Sequence, residues 1–122
     1  MTAQNSHIIT IDDAQAAVAP TKTSRFQILF ERENLTFEIY RPVSTDHQKP
    51  HNHDECYVII EGAGGGEMDG KIVDFVAGDF IFVAAGVPHR FVNFGQSLLC
   101  WVIFYGPEGG EAGTGPGASS SS

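Results

Sequence analysis

Seven short runs of β-branched and aromatic residues, each closed by turn chemistry, leave residues 26–105 few folds to choose from. FQILFE (26–31), LTFEIYR (35–41), CYVIIEG (56–62), KIVDFVAG (71–78), DFIFVAA (79–85), HRFVNF (89–94) and LLCWVIFY (98–105) all have the make-up of strands. Glu33-Asn34, Gly64-Gly65-Gly66, Asp69-Gly70, Gly78-Asp79, Gly86-Val87-Pro88 and Asn93-Phe94-Gly95 punctuate them. Asp69-Gly70, set between GGEM and KIVDF, is the dipeptide of a two-residue hairpin. Strands this short and evenly spaced, with no long helical period and no internal repeat, predict an all-β fold. The expected form is an antiparallel β-barrel or jelly roll in a single domain.

The chain of 122 residues carries nine Phe and is 42% hydrophobic, enough apolar material for one core without covalent staples. The ends differ from the middle. GPEGGEAGTGPGASSSS (106–122) has no side chain that could anchor a core and offset the entropy of ordering it, so 108–122 reads as a disordered Gly/Ser-rich tail. Residues 1–24 read as an N-terminal arm in which HIITI (7–11) is an edge-strand candidate and IDDAQAAVA (11–19) a short helical turn ended by Pro20. The barrel is then expected over 25–107.

A formal charge of −8 and a pI near 4.8 argue against nucleic acid and anionic membranes as partners, since phosphate binding needs a basic surface. MTAQNSHIITIDD lacks a basic start followed by an apolar run, and no segment approaches the length of a spanning helix, so the chain reads as cytoplasmic. Cys56 and Cys100 form no CxxC pair and are expected to be buried free thiols.

The chemistry concentrates in PHNHDECYVIIEG (50–62) and at His89. If 51–55 is extended, His51, His53 and Glu55 share a face that Tyr57 and Ile59 continue inward. Imidazoles and a carboxylate converging from two strands inside an apolar barrel suit Fe, Mn, Ni, Zn or Cu. The plainer alternative is a solvated polar turn.

GDFIFVAAGVPHRFVN (78–93) has Gly78, Ala84, Gly86, His89 and Asn93 at the spacing G-x5-A-x-G-x2-H-x3-N. It resembles the second signature of the cupin superfamily, with Ala84 where proline is usual. His51, His53, Glu55 and Gly62 resemble the first signature, and six residues separate Glu55 from Gly62 as in that family. Two departures concern the ligands. Thr45 stands where a glycine leads the signature, and only Asp54 lies between His53 and Glu55, where the family has three or four residues.

On a straight strand the Cα atoms of His51 and Glu55 would lie about 13 Å apart, at about 3.3 Å per residue. Either the backbone bends near Asn52 to Asp54 and His51, His53, Glu55 and His89 all bind, the favoured reading. Or His51 takes the family's second-histidine place, Lys49 the first, and His51, Glu55 and His89 form the site. Asp54 reads as a solvent-facing neighbour, able to replace Glu55 only if the register slips by one.

The resemblance implies a cupin-type β-barrel with a divalent transition metal, Fe or Mn favoured. It further implies a small metal-dependent enzyme on a small-molecule substrate, an oxidoreductase of the dioxygenase kind. Metal-dependent isomerases, cyclases or lyases are the alternatives, as is a non-catalytic small-ligand barrel with a structural metal. Tyr40, Tyr57, Phe80, Phe82, Phe91, Trp101 and Phe104 are expected to line the interior, with Tyr57 the candidate for catalytic acid–base help and a core tyrosine as its plain alternative. A homodimer is expected, by sheet-on-sheet contact and an added strand from 7–11.

Overall fold

A computed structural model describes residues 7–43, 51–95 and 97–111. One short helix, α1 (Ile11–Ala17), precedes eight strands: β1 (Phe26–Arg32), β2 (Leu35–Tyr40), β3 (Asp54–Glu61), β4 (Ala63–Met68), β5 (Lys71–Val76), β6 (Phe80–Val83), β7 (His89–Val92) and β8 (Leu99–Tyr105). All pairings are antiparallel, giving a five-stranded sheet ordered β1-β2-β8-β3-β6 and a three-stranded sheet ordered β5-β4-β7. The two sheets close on one interior, the all-β antiparallel barrel that the strand pattern predicts.

Strand alternation sorts the side chains of the larger sheet into two cores. Tyr57 and Ile59 on β3, Cys100 and Val102 on β8 and Val83 on β6 point inward, where they meet Phe75 and Phe91 of the smaller sheet, with Tyr40 and Phe104 packed against them. On the outer face, Ile39 and Leu99 are capped by Ala14 and Val18 of the α1 region, with Trp101, Leu29 and Ile60 alongside. α1 itself starts at Thr10, whose hydroxyl accepts from the Asp13 amide at 3.2 Å, and Asp12 and Asp13 favour its first turn.

Four sequence expectations change here. Residues 63–68 form a strand although their three glycines read as a turn. Their lack of side chains is what lets the strand fit, because a Cβ on Gly64 would meet the Phe94 Cβ at 2.9 Å and one on Gly65 the Ile72 methyl at 2.9 Å. Trp101 lies in the outer cluster, and Phe80 and Phe82 are 63% and 46% exposed, so these three do not line the interior as expected. His7 to Thr10 make no strand within the single chain, and Ile11 opens the helix instead.

The last of the four concerns the C-terminus. Glu108 to Glu111 are seated against the body of the protein: the Gly109 amide donates to the Asn52 carbonyl at 2.7 Å and the Glu111 amide to Asp54 Oδ2 at 2.9 Å. Residues 112–122 lie outside the described residues, as do Thr45 and Lys49.

Cys56 and Cys100 are free, Cys100 buried and Cys56 half-buried on the outer face. Asn93, which closes the turn after β7, takes a left-handed φ of 55° that asparagine tolerates. No helix among the described residues is long and apolar enough to cross a membrane.

Candidate metal centre

Glu55 is the second residue of β3, paired with Val83 of β6 and Phe104 of β8. Its inward position follows from strand alternation with Tyr57 and Ile59, and all three are 1% exposed. His89 opens β7 in the opposite sheet, opposite Met68 of β4. His51 precedes β3 and is carried back over Glu55 by a bend at Asn52 and His53.

The bend resolves the spacing problem. His51 Nδ1 lies 2.8 Å from Glu55 Oε1, and His89 Nε2 lies 3.2 Å from the same oxygen. One ligating atom from each of His51, Glu55 and His89 falls within 4.8 Å of the other two. His53 sits on the bend itself, half-buried, and is not a member of this group. Ladder pairing begins only at Asp54, so the two-residue alternation that would align His53 with Glu55 does not reach it.

Hydrogen bonding assigns the ring of His89. Its Nδ1 lies 2.8 Å from the Val87 carbonyl oxygen, which can only accept, so Nδ1 carries the proton. In the neutral ring Nε2 then presents a lone pair to the Glu55 carboxylate. Two lone pairs at 3.2 Å repel unless a cation stands between them, either a proton or a metal ion.

Electrostatics agree with that arrangement. Burial works against a charged Glu55, yet its carboxyl is held below the usual glutamate value by His89 and Tyr57, which act as hydrogen-bond neighbours, and by the charges of His89 and His51. Oε2 is fully buried and lacks a hydrogen bond of good geometry, so the Tyr57 hydroxyl supports the charge without saturating that oxygen. A hard–borderline donor set of two imidazoles and a carboxylate with an unsatisfied buried oxygen fits a divalent transition metal.

Loop anchoring fixes these positions. The Gly86 amide donates to the His51 carbonyl at 2.8 Å. Asp54, expected to face solvent, is 4% exposed, because Oδ1 accepts from the Ala85 amide and Oδ2 from the Glu111 amide, each at 2.9 Å. It ties the start of β3 to the turn before β7 and to the C-terminal segment.

Tyr57 packs its ring edge against Phe91 at 5.0 Å and lies 6.2 Å from the His89 ring, which places it in the core and beside the centre together. The sequence reading missed Glu38. Ile39 faces the outer core and Tyr40 the inner one, so Glu38, one residue before Ile39, faces inward. An acid inside the apolar run LTFEIY was the available signal.

The Cupin domain family model matches residues 36–105, more than half of the chain. An uncharacterized protein of Streptomyces coelicolor is 31% identical over 100 residues, covering 80% of this chain and 94% of that protein. Among solved structures, a cupin-2 domain containing protein from Shewanella frigidimarina aligns with a TM-score of 0.64 at 16% identity over 81% of this chain and 95% of that one. KdgF from a Halomonas species aligns with a TM-score of 0.59 at 17% identity, over 68% and 80% of the two chains. At such identities the structures speak for the fold, and the family model for descent. With both signature segments meeting at one His–Glu–His cluster in an antiparallel barrel, the chain belongs to the cupin family.

Proposed function

We propose that this cupin is a small metal-dependent enzyme that holds iron or manganese with His51, Glu55 and His89 and acts on a small organic molecule by dioxygenase-type chemistry. The observation that carries the reading is the convergence of three ligating atoms, and only three, within 4.8 Å among the described residues. Two imidazoles and one carboxylate leave coordination positions for a ligand and suit iron, whereas a closed four-residue shell would suit a structural ion. When bound, such an ion supplies Lewis acidity and, if redox-active, access to O2.

The protein's own residues do the rest. Val87 and Glu55 fix the tautomer and aim of His89. Phe104, 4.8 Å from the His51 ring, and the aromatic floor of Tyr57 and Phe91 give the small-molecule site apolar walls that exclude water. Tyr57, beside the Glu55 carboxyl, stabilises its charged form.

Elemental analysis of protein purified without added metal tests this. Near-stoichiometric iron or manganese is expected in the wild type and also in His53→Ala. A metal-free wild type that takes up no added ion would leave a ligand-binding barrel as the better account.

A homodimer belongs to the same proposal. The outer face of the large sheet aligns Phe82, Cys56, Ile103 and Phe37 in one row and Phe80 with Val58 in the next. α1 covers only the part around Ile39 and Leu99. An apolar sheet face of this extent fits a second copy packed face to face. Light scattering at micromolar concentration is expected to give twice the chain mass, and Phe82→Glu to give one; a monomeric wild type would remove the dimer.

A further inference from the structure

Glu38 is a carboxylate inside the barrel that the metal cluster does not use. Strand register locates it. Across the large sheet, Thr36, Phe104 and Glu55 form one inward row, and Glu38, Val102 and Tyr57 form the next. Glu38 is thus two strands across and two residues along from Glu55, about 12 Å between Cα atoms at about 4.8 Å per strand and 3.3 Å per residue. Both side chains rise from the inward face of the same sheet, so their carboxyls border one interior.

The opposite sheet closes the same space. The Tyr40 and Phe91 rings meet at 6.4 Å, which sets β7 over β2. One inward step from Tyr40 on β2 is Glu38, and one from Phe91 on β7 is His89. Meanwhile His51, the most exposed of the three cluster residues, lies on Phe104, the β8 residue between Glu55 and Thr36 of β2. Among the described residues, Glu38 has no cation and no hydrogen-bond donor, unlike the carboxylates of Glu55, Asp54, Glu61 and Glu67.

We propose that Glu38 is a catalytic acid–base residue, exchanging a proton with the hydroxyl, or the acidic carbon beside a carbonyl, of a small ligand bound at the His51–Glu55–His89 centre. This rests on the metal reading above and names its proton acceptor. In the forward direction the ligand's O–H or C–H bond breaks, the electron pair stays on the ligand, and the proton passes to a Glu38 carboxylate oxygen; product formation returns it. No other co-reactant is needed for that exchange.

Its surroundings suit the task. Burial first, then the negative charges of Glu55 and Glu31, push the Glu38 carboxyl up to about 7, so both protonation states are present near neutrality. The titratable groups around it are Tyr40 on its own strand, Glu31 on β1, Cys100 on β8, Glu55 and Tyr57 on β3, His89 on β7 and His51 beside Phe104. Lys and Arg are absent from that ring, which is why nothing restores an ordinary carboxylate value.

The test uses the full chain loaded with zinc, which is redox-silent, and acetohydroxamate as probe, a small chelator that loses a proton on binding. Calorimetry in buffers of different ionisation heat counts the protons released. If Glu38 keeps the ligand's proton in a hydrogen bond to the bound hydroxamate, that bond raises its carboxyl further in the complex, so wild type is expected to release clearly fewer protons at pH 8 than Glu38→Gln, which should release about one at both pH 8 and pH 6. Equal zinc uptake by the two proteins shows that the variant folds and loads. Identical proton counts at pH 8 with normal zinc uptake would overturn the role of Glu38 alone. A wild type that takes up no zinc would overturn the metal reading beneath it. As a check without metal, a carboxyl-carbon NMR signal that titrates near 7 and vanishes in Glu38→Gln supports the proposal, and one that titrates in the ordinary glutamate range removes it.

Discussion

Glu55→Gln is expected to abolish metal retention while leaving the barrel folded. The substitution keeps the shape of a side chain that is 1% exposed, but removes the one negative charge that both imidazoles approach, at 2.8 Å and 3.2 Å. Loss of a partner that merely orients a ligand costs roughly 10- to 100-fold in metal affinity, so loss of the anionic ligand itself should cost more than about 100-fold. Stability of the metal-free protein should fall near neutral pH, because a carboxyl held below its ordinary value despite burial is net-stabilised by His89, Tyr57 and His51, and the neutral amide gives up that gain. Metal titration beside thermal melts of the metal-free forms checks both halves. Unchanged affinity in the variant would exclude Glu55 as a ligand.

Asp54→Ala is expected to act in the opposite way, on the fold more than on the donor atoms. Its two carboxylate oxygens accept from the amides of Ala85 and Glu111, residues 31 and 57 positions away along the chain. Truncation leaves both donors without that charged partner. A hydrogen bond to a charged group is worth about 1.5–3 kcal/mol, so a loss of about 3–6 kcal/mol is the expected range for the pair. Denaturant unfolding gives the total, and hydrogen exchange at the Ala85 and Glu111 amides gives its location. Asp54→Asn, which keeps an acceptor, should recover part of the loss. Stability within about 0.5 kcal/mol of wild type in Asp54→Ala would mean that the carboxylate holds nothing in place.

Strand chemistry was legible in the sequence wherever side chains carry it. β1, β2, β3, β5, β7 and β8 follow runs of Val, Ile, Phe and Tyr, and the pairing of Asp69-Gly70 with a hairpin followed from its turn preference. β4 was hidden because its signal is the absence of side chains: Gly64 makes room for the Val92 carbonyl and Phe94, and Gly65 for the side chains of Ile72 and Val92, contacts that no local pattern contains. The faces of β6 were misread for a related reason. Phe80 and Phe82 are as apolar as core residues, and only the register that pairs Ile81 with Tyr57 and Val83 with Glu55 turns them outward.

At the centre, His51, Glu55 and His89 were legible from residue type and spacing. The place of His53 was not, since it depends on where β3 begins. Asp54 looked like a surface acid because its partners, Ala85 and Glu111, offer backbone amides that sequence does not display. The same holds for the stretch from Glu108 to Glu111, poor in anchoring side chains yet fastened through main-chain groups.

The last strand among the described residues is the middle of the larger sheet. β8 lies between β2 and β3, and Phe104 of β8 is the neighbour of Glu55 on one side and of Thr36 on the other. During synthesis the ribosome therefore releases β1 to β7 with two half-sheets that have no seam between them. Until residues 99–105 emerge and insert, the wall behind Glu55 is missing and the hydrophobic side chains of β2 and β3 stay exposed. Closure of the wall around the His–Glu–His cluster thus waits for β8 to insert, a late step in which the two halves of the sheet are joined.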